Sequence, residues 1–228
     1  MMNKKFENDN FVLYSPDSLN YITRDIESIL NNSLEFYKEL FDVKEYRKIQ
    51  INFFDSKEEF RKFIYNLRGK NTLPEYATGT FDGGMINGAI NPNIIEGTPA
   101  YTKKKYLASH ELFHIMYNEL IRDKKSIERI MWFDEGMAQL FSGEFKDKFN
   151  DWESFVKDTI SKTKEVPNLN ELSHGKIFET ENYSGYKLSL IAVKTIYDKL
   201  GLEEFKKLMS DTKRIHEYGE NILKEIFK

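Results

Sequence analysis

A chain of 228 residues that is 40% apolar and 14% aromatic carries enough material for a substantial core, which excludes a disordered tail. Its 34 basic and 37 acidic side chains leave a net charge of −3 with both signs scattered along the chain, and this excludes the basic footprint that nucleic-acid binding needs. There is no cysteine, so disulfides and thiolate ligands are excluded and any zinc site has to be built from histidine and carboxylate.

The first twelve residues carry Lys4, Lys5, Glu7 and Asp9 and no apolar signal region. No segment approaches the roughly 18 uninterrupted apolar residues of a membrane span. The chain as given therefore reads as a cytoplasmic protein without a membrane span, or as an extracellular one if it is an excised domain. Without repeats or Ser/Gly linkers, one domain over 1–228 is expected, with an α+β lobe at about 1–121 and a helical lobe at about 122–228.

In chain order, apolar residues at three-and-four spacing (Ile22, Ile26, Ile29, Leu30, Leu34, Tyr37, Leu40) predict a long helix over 17–41. Residues 49–54 read as a strand and 57–67 as a shorter helix. Two further strands, 76–81 and 85–90, flank Asp82-Gly83-Gly84, a hairpin signal. From Tyr101 onward the pattern is helical: 103–121, 126–145, 152–162, 186–200, 202–210 and 215–227, with Gly201 as a C-cap and the longest irregular stretch around Pro167, Asn168 and Asn170. The fold class is α+β, with a small mixed sheet in the first lobe and an all-helical second lobe.

Within the helix predicted over 103–121 stands His110-Glu111-Leu112-Phe113-His114. Four residues advance an α-helix by about 400°, so the two imidazoles lie on one face, about 6 Å apart, and can share one zinc. Glu111, one step round, can reach a water on that metal without being a ligand, the division of labour that metal-assisted hydrolysis requires. The flanking Leu107, Ala108, Leu112, Phe113, Ile115 and Met116 predict a buried helix, in which unpartnered polar groups would cost several kcal/mol, of order 2–7 each. Downstream, Trp132-Phe133-Asp134-Glu135-Gly136-Met137-Ala138 sets another carboxylate in an apolar run, and Gly136 permits close helix approach. The twenty residues between His114 and Glu135 suffice for a helix to end near Arg122-Asp123-Lys124, turn and return Glu135 to the metal.

HExxH followed at this distance by a W-x-x-E-G-x-A segment resembles the gluzincin branch of the zincin metallopeptidases, in particular the peptidase MA-like families related to the aminopeptidase catalytic fold. The resemblance covers roughly 78–201. It implies zinc held by His110, His114 and Glu135, Glu111 as general base and acid, an active-site cleft between the two lobes, and peptide hydrolysis on a peptide or protein substrate. The branch with a third histidine soon after HExxH is excluded, because the next histidine is His174.

Hydrolysis by this route builds an oxyanion that a protein donor helps to stabilise. Candidates are Tyr186, Tyr183 and His174; in aminopeptidase-like relatives the tyrosine starts a helix ending in glycine, and Tyr186 through to Gly201 is similar. The segment 79–90 precedes the motif helix, where zincins place a sheet edge that can bind an extended peptide by strand addition. Gly83, Gly84, Met85 and Ile86 are the substrate-binding candidates there. The chain lacks the Gly-x-Met-Glu-Asn segment of true aminopeptidases, which leaves endopeptidase and exopeptidase activity open. The readings that compete with an active peptidase are a non-catalytic module stabilised by its zinc and the catalytic domain of a larger secreted or anchored enzyme.

Overall fold

A computed structural model of the chain describes residues 1–69, 73, 77–82, 84–146, 151–172 and 178–228. The chain divides into two compact units, Met1–Ile115 and Met116–Lys228.

The first unit is mixed α and β. Strands β1 (Asn3–Glu7), β2 (Phe11–Ser15), β3 (Ile49–Phe54), β4 (Gly79–Asp82) and β5 (Met85–Ala89) form one sheet in the order β1-β2-β3-β5-β4. The β2/β3 and β3/β5 pairs are parallel, while the β1/β2 and β4/β5 pairs are antiparallel. The N-terminal hairpin was not anticipated from the sequence. Its turn is closed by Asn8, whose side-chain oxygen accepts from the backbone of Asn10 and Phe11, and β2 alternates buried Phe11, Leu13 and Ser15 with half-exposed Val12 and Tyr14.

Helix α1 (Asn20–Leu40) follows a short 3₁₀ turn at Asp17–Leu19 and buries Ile22, Ile26, Leu30, Leu34, Tyr37 and Leu40 along one stripe, as the spacing predicts. Full burial of such a side chain contributes about 1.5–3 kcal/mol. Helix α2 (Lys57–Arg68) starts at Ser56, whose hydroxyl accepts from the Glu59 amide, and stops at Gly69 in the left-handed region (φ 70°). Phe60 and Ile64 of α2 pack on Phe54 and Ala89.

The helix predicted over 103–121 is in fact two. α3 (Pro99–Lys105) is opened by the Thr98 cap with Pro99 in its first turn, and α4 (Leu107–Tyr117) starts afresh after a turn at Tyr106. Beyond α4 the chain widens into a π-helical turn at Asn118–Arg122, then a last turn, α5 (Asp123–Lys125).

The second unit is helical, but the helix predicted over 126–145 is shorter. Ser126 adopts φ 52°, which terminates α5, and the following four residues form no regular element, with Ile130 extended, so α6 runs only over Met131–Phe141. α7 (Trp152–Lys162) lies where expected, and a one-turn helix, α8 (Leu169–Leu172), occupies the stretch read as irregular. α9 (Gly185–Leu208) kinks at Gly201 (φ 72°, ψ 171°), which separates the two helical runs seen in the sequence, and α10 (Thr212–Ile226) closes the chain. The core of this unit is the packing of α6 on α9, with Phe133, Phe141, Tyr197 and Phe205 in edge and tilted ring contacts. No helix among the described residues is long and apolar enough to cross a membrane.

Candidate metal centre

Helix α4 comes close to the sheet because the sheet makes room for it. Gly79 of β4 and Gly88 of β5 are cross-strand partners, and a Cβ on either would stand within 2.8 Å of a Leu107 methyl. A Cβ at Gly79 would also stand 2.7 Å from Oε1 of Glu111, so the edge strand passes directly beside the motif carboxylate. Two residues along the same face, the Phe81 ring lies 6.3 Å from that of His114. On its other side α4 is keyed to α1: Phe113 packs edge-on against Tyr37, whose hydroxyl donates to the Ser109 carbonyl and shares a buried hydroxyl chain with Ser109 and Ser33. Burial pushes the Tyr37 phenol well above its ordinary value, with the Ser109 and Ser33 hydrogen bonds acting the other way.

On this seat the two imidazoles converge. Nε2 of His110 and Nε2 of His114 are 3.1 Å apart, with the rings at 77° to one another. Two nitrogens bound to one tetrahedral zinc at about 2.0–2.1 Å stand about 3.3 Å apart, so the pair already has the spacing of a shared metal. His114 and Glu111 are buried and His110 is partly so.

Glu135 stands near the middle of α6 and is buried. Arg129, two residues ahead of the helix, donates through Nη2 to Glu135 Oε1 at 3.0 Å and through Nε to Asp134 Oδ2 at 2.5 Å. Gln139, one turn on, donates to the carbonyls of Glu135 and of Tyr186 on α9. Gly136 allows this closeness, since a Cβ there would meet the Ser189 carbonyl oxygen at 2.5 Å. His110, His114 and Glu135 form a group that could hold a metal ion, each offering one ligand atom, all within 4.8 Å of one another. Two imidazoles and a carboxylate match the donor set of a zinc site that keeps a coordination position open.

The other candidates fall in several places. Tyr186 is the second residue of α9, its amide donating to Glu179 and its ring edge-on to Phe178 at 4.6 Å. Tyr183 precedes the Ser184 cap; desolvation, then the charges of Glu165 and Glu171, raise its phenol, which keeps it a proton donor at neutral pH. His174 and Gly83 lie outside the described residues. Gly84 takes φ 75° in the β4–β5 turn, and its carbonyl accepts from Arg47. Met85 and Ile86 belong to β5, which has β3 on one side and β4 on the other, so the strand at the rim is β4.

Sequence reasoning missed Arg129 and Gln139. A signal existed for the first: between Lys125 and Lys146 it is the one basic residue, and two adjacent carboxylates in an apolar run call for a cation. It also missed Gly79, whose part shows only when the strand is laid against α4.

No family model matches the chain, and no curated protein matches it in sequence. Among solved structures the chain is similar to an aminopeptidase N family protein from Idiomarina loihiensis, with a TM-score of 0.57 and 14% identity over 92% of this chain and 40% of that one. The chain thus shares its fold with a peptidase-family protein while spanning about two fifths of that protein's length.

Proposed function

We propose that this chain is a zinc-dependent peptidase of the gluzincin kind, with His110, His114 and Glu135 as ligands, Glu111 as general base and acid, and an extended polypeptide as substrate. The observation that carries the reading is the 3.1 Å convergence of the two Nε2 atoms in a group that Glu135 completes. Bound there, zinc would supply Lewis acidity and a water of pKa about 7. Glu111 takes the proton from the attacking water on its carboxylate and returns it to the leaving amine. Buried beside Gly79, that carboxylate is held next to the edge strand instead of turning to solvent. Tyr186 donates its phenol proton as a hydrogen bond to the developing oxyanion, with Tyr183 as the alternative donor.

The outer edge of β4 carries the substrate backbone as an added strand, which accepts many side chains because main-chain hydrogen bonds do the binding. This moves substrate binding from Met85 and Ile86 to 79–82, with Gly84 closing the turn. The fold shared with an aminopeptidase N family protein supports hydrolysis of peptide bonds.

The test is elemental analysis of protein purified without added metal, alongside His114→Ala and Glu135→Ala, followed by cleavage of a quenched fluorescent peptide library. Zinc near one per native chain, lost in both variants, with cleavage by the native protein alone, is the expected result. A native protein that takes up no zinc on dialysis against it overturns the reading, and zinc uptake without cleavage of any peptide leaves a zinc-stabilised module in its place.

A further inference from the structure

The carboxylate proposed as third ligand is not held by its own helix alone. Asp134 and Glu135 are adjacent and both buried in α6, an arrangement that sets two negative charges side by side in a poorly solvated place. The positions of α6 that neighbour both carboxylates are 131 and 138, and they carry methionine and alanine, so the helix itself offers no cation there. Arg129 can hold both, because it stands ahead of the helix: Ile130 is extended at φ −98°, ψ 100°, and the guanidinium reaches both carboxylates of the first turns. Nε holds Asp134, whose side chain is 3% exposed, and Nη2 holds Glu135, 11% exposed.

We infer that Arg129 is a positioning residue for the metal centre, with Asp134 as the anchor that fixes its guanidinium and Glu135 as the ligand it orients. The inference rests on the zinc reading above. Planar, multidentate donation is what an arginine fork supplies and a lysine ammonium does not. Outer partners of this sort set the orientation and the basicity of a ligand, and their loss typically weakens metal affinity by about 10–100-fold. Asp134 acts on the ligand in part through Arg129, so the effects of removing the two are coupled and not additive.

The experiment is competition for zinc against a chromophoric chelator at fixed pH, with wild type, Arg129→Gln, Arg129→Lys, Asp134→Asn, the Arg129→Gln/Asp134→Asn double variant and Glu135→Gln. Visible spectra of the cobalt-substituted proteins report ligand geometry in parallel. A loss of about 10–100-fold in Arg129→Gln is expected, with partial rescue by lysine, a smaller loss in Asp134→Asn, and a loss in the double variant smaller than the product of the two single losses. Altered cobalt bands in Arg129→Gln at unchanged far-ultraviolet dichroism separate positioning from a structural role. Wild-type affinity and spectrum in Arg129→Gln, beside a large loss in Glu135→Gln, overturn the inference and leave the zinc reading standing. Absence of zinc binding in the wild type overturns both. Should Arg129→Gln fail to fold, Arg129→Lys decides: a several-fold loss with shifted cobalt bands supports the fork, and wild-type behaviour overturns it.

Discussion

Helices α4 and α6 both seat chemically charged residues in apolar surroundings, and they do it by opposite means. α4 keeps its bulk and has the sheet give way, through the paired glycines 79 and 88. α6 gives way itself, through Gly136 against the backbone of α9. The neighbours differ in hardness: Gly79 faces the ends of Leu107 and Glu111 side chains, whereas Gly136 faces a carbonyl oxygen fixed within a helix. Polar support differs too, since α4 is keyed by neutral hydroxyls from α1 and α6 by the Arg129 guanidinium and the Gln139 amide. Disturbing the α4 seat at Gly79, where Glu111 stands, should therefore alter chemistry before stability, and disturbing the α6 seat at Gly136 should alter stability first.

The largest effect expected is on the α4 side and is purely chemical. Glu111→Gln should lower peptide hydrolysis by about 10²–10⁴-fold, the range for loss of a positioned base, with zinc content and melting temperature unchanged. Retained hydrolysis would remove Glu111 from its role. Next comes Gly136→Ala. Alanine normally favours a helix interior over glycine by about 1 kcal/mol, yet here overpacking against the Ser189 backbone, at the upper end of the usual cost of about 1–3 kcal/mol, should outweigh it by about 2 kcal/mol. For a chain of this length each kcal/mol corresponds to about 2–4 °C in the melting transition. A rise in melting temperature would mean that α6 and α9 are not in such close contact, and the contrast between the two seats would collapse.

How much of this could be read beforehand follows from where the information resides. The histidine pair was legible because both residues and their spacing belong to one helix, and α1, α7 and the break at Gly201 were legible for the same local reason. The hairpin of β1 and β2 was hidden by charge and by irregular register: Lys4, Lys5 and Glu7 dilute the apolar signal, and the pairing shifts between Lys4 and Phe6. The break at Tyr106 carries neither glycine nor proline, so nothing local announced it, and the start of α6 at Met131 instead of 126 is equally unmarked. Arg129 was hidden because an arginine six positions before a glutamate means little until the chain between them turns from extended to helical. The edge position of β4 is a matter of strand order, which no single strand encodes.

A smaller effect tests the hydroxyl support of α4. Tyr37→Phe removes the bonds to Ser109 and should cost about 1 kcal/mol at neutral pH. It should also change the alkaline limb. The Tyr37 phenol is raised in the folded protein above its ordinary 10.0, so the folded state holds that proton more tightly, and stability falls as pH rises past 10.0. Without this phenol the fall should be shallower in urea titrations between neutrality and the alkaline range. Parallel curves for the two proteins would show that the α1 hydroxyl is not buried as described.

Gly79→Ala should change stability about as little as Tyr37→Phe does, and it is the sharpest test of the comparison. The new methyl would stand 2.6 Å from Leu107 Cδ1 and 2.7 Å from Glu111 Oε1, distances that cannot persist, but both contacts are far ends of side chains that can rotate. Leucine has another rotamer at little expense, and an off-rotamer adjustment costs about 0.5–1.5 kcal/mol, so the melting temperature should move by only a few degrees. Glu111, in contrast, cannot rotate without leaving the position from which it handles the proton, and misplacement by about 1 Å can cost about 10²-fold in rate. Turnover should fall while zinc affinity holds, since the atoms nearest the new methyl belong to Leu107 and Glu111 and to neither histidine. Gly88→Ala is the control: its methyl would meet Phe53 at 2.9 Å and Leu107 at 2.8 Å, a fully buried ring instead of the carboxylate, so it should lose stability with turnover per folded molecule kept. If Gly79→Ala instead unfolds the protein as readily as Gly136→Ala, then the edge strand is as unyielding as a helix backbone, and the α4 seat is not the softer of the two.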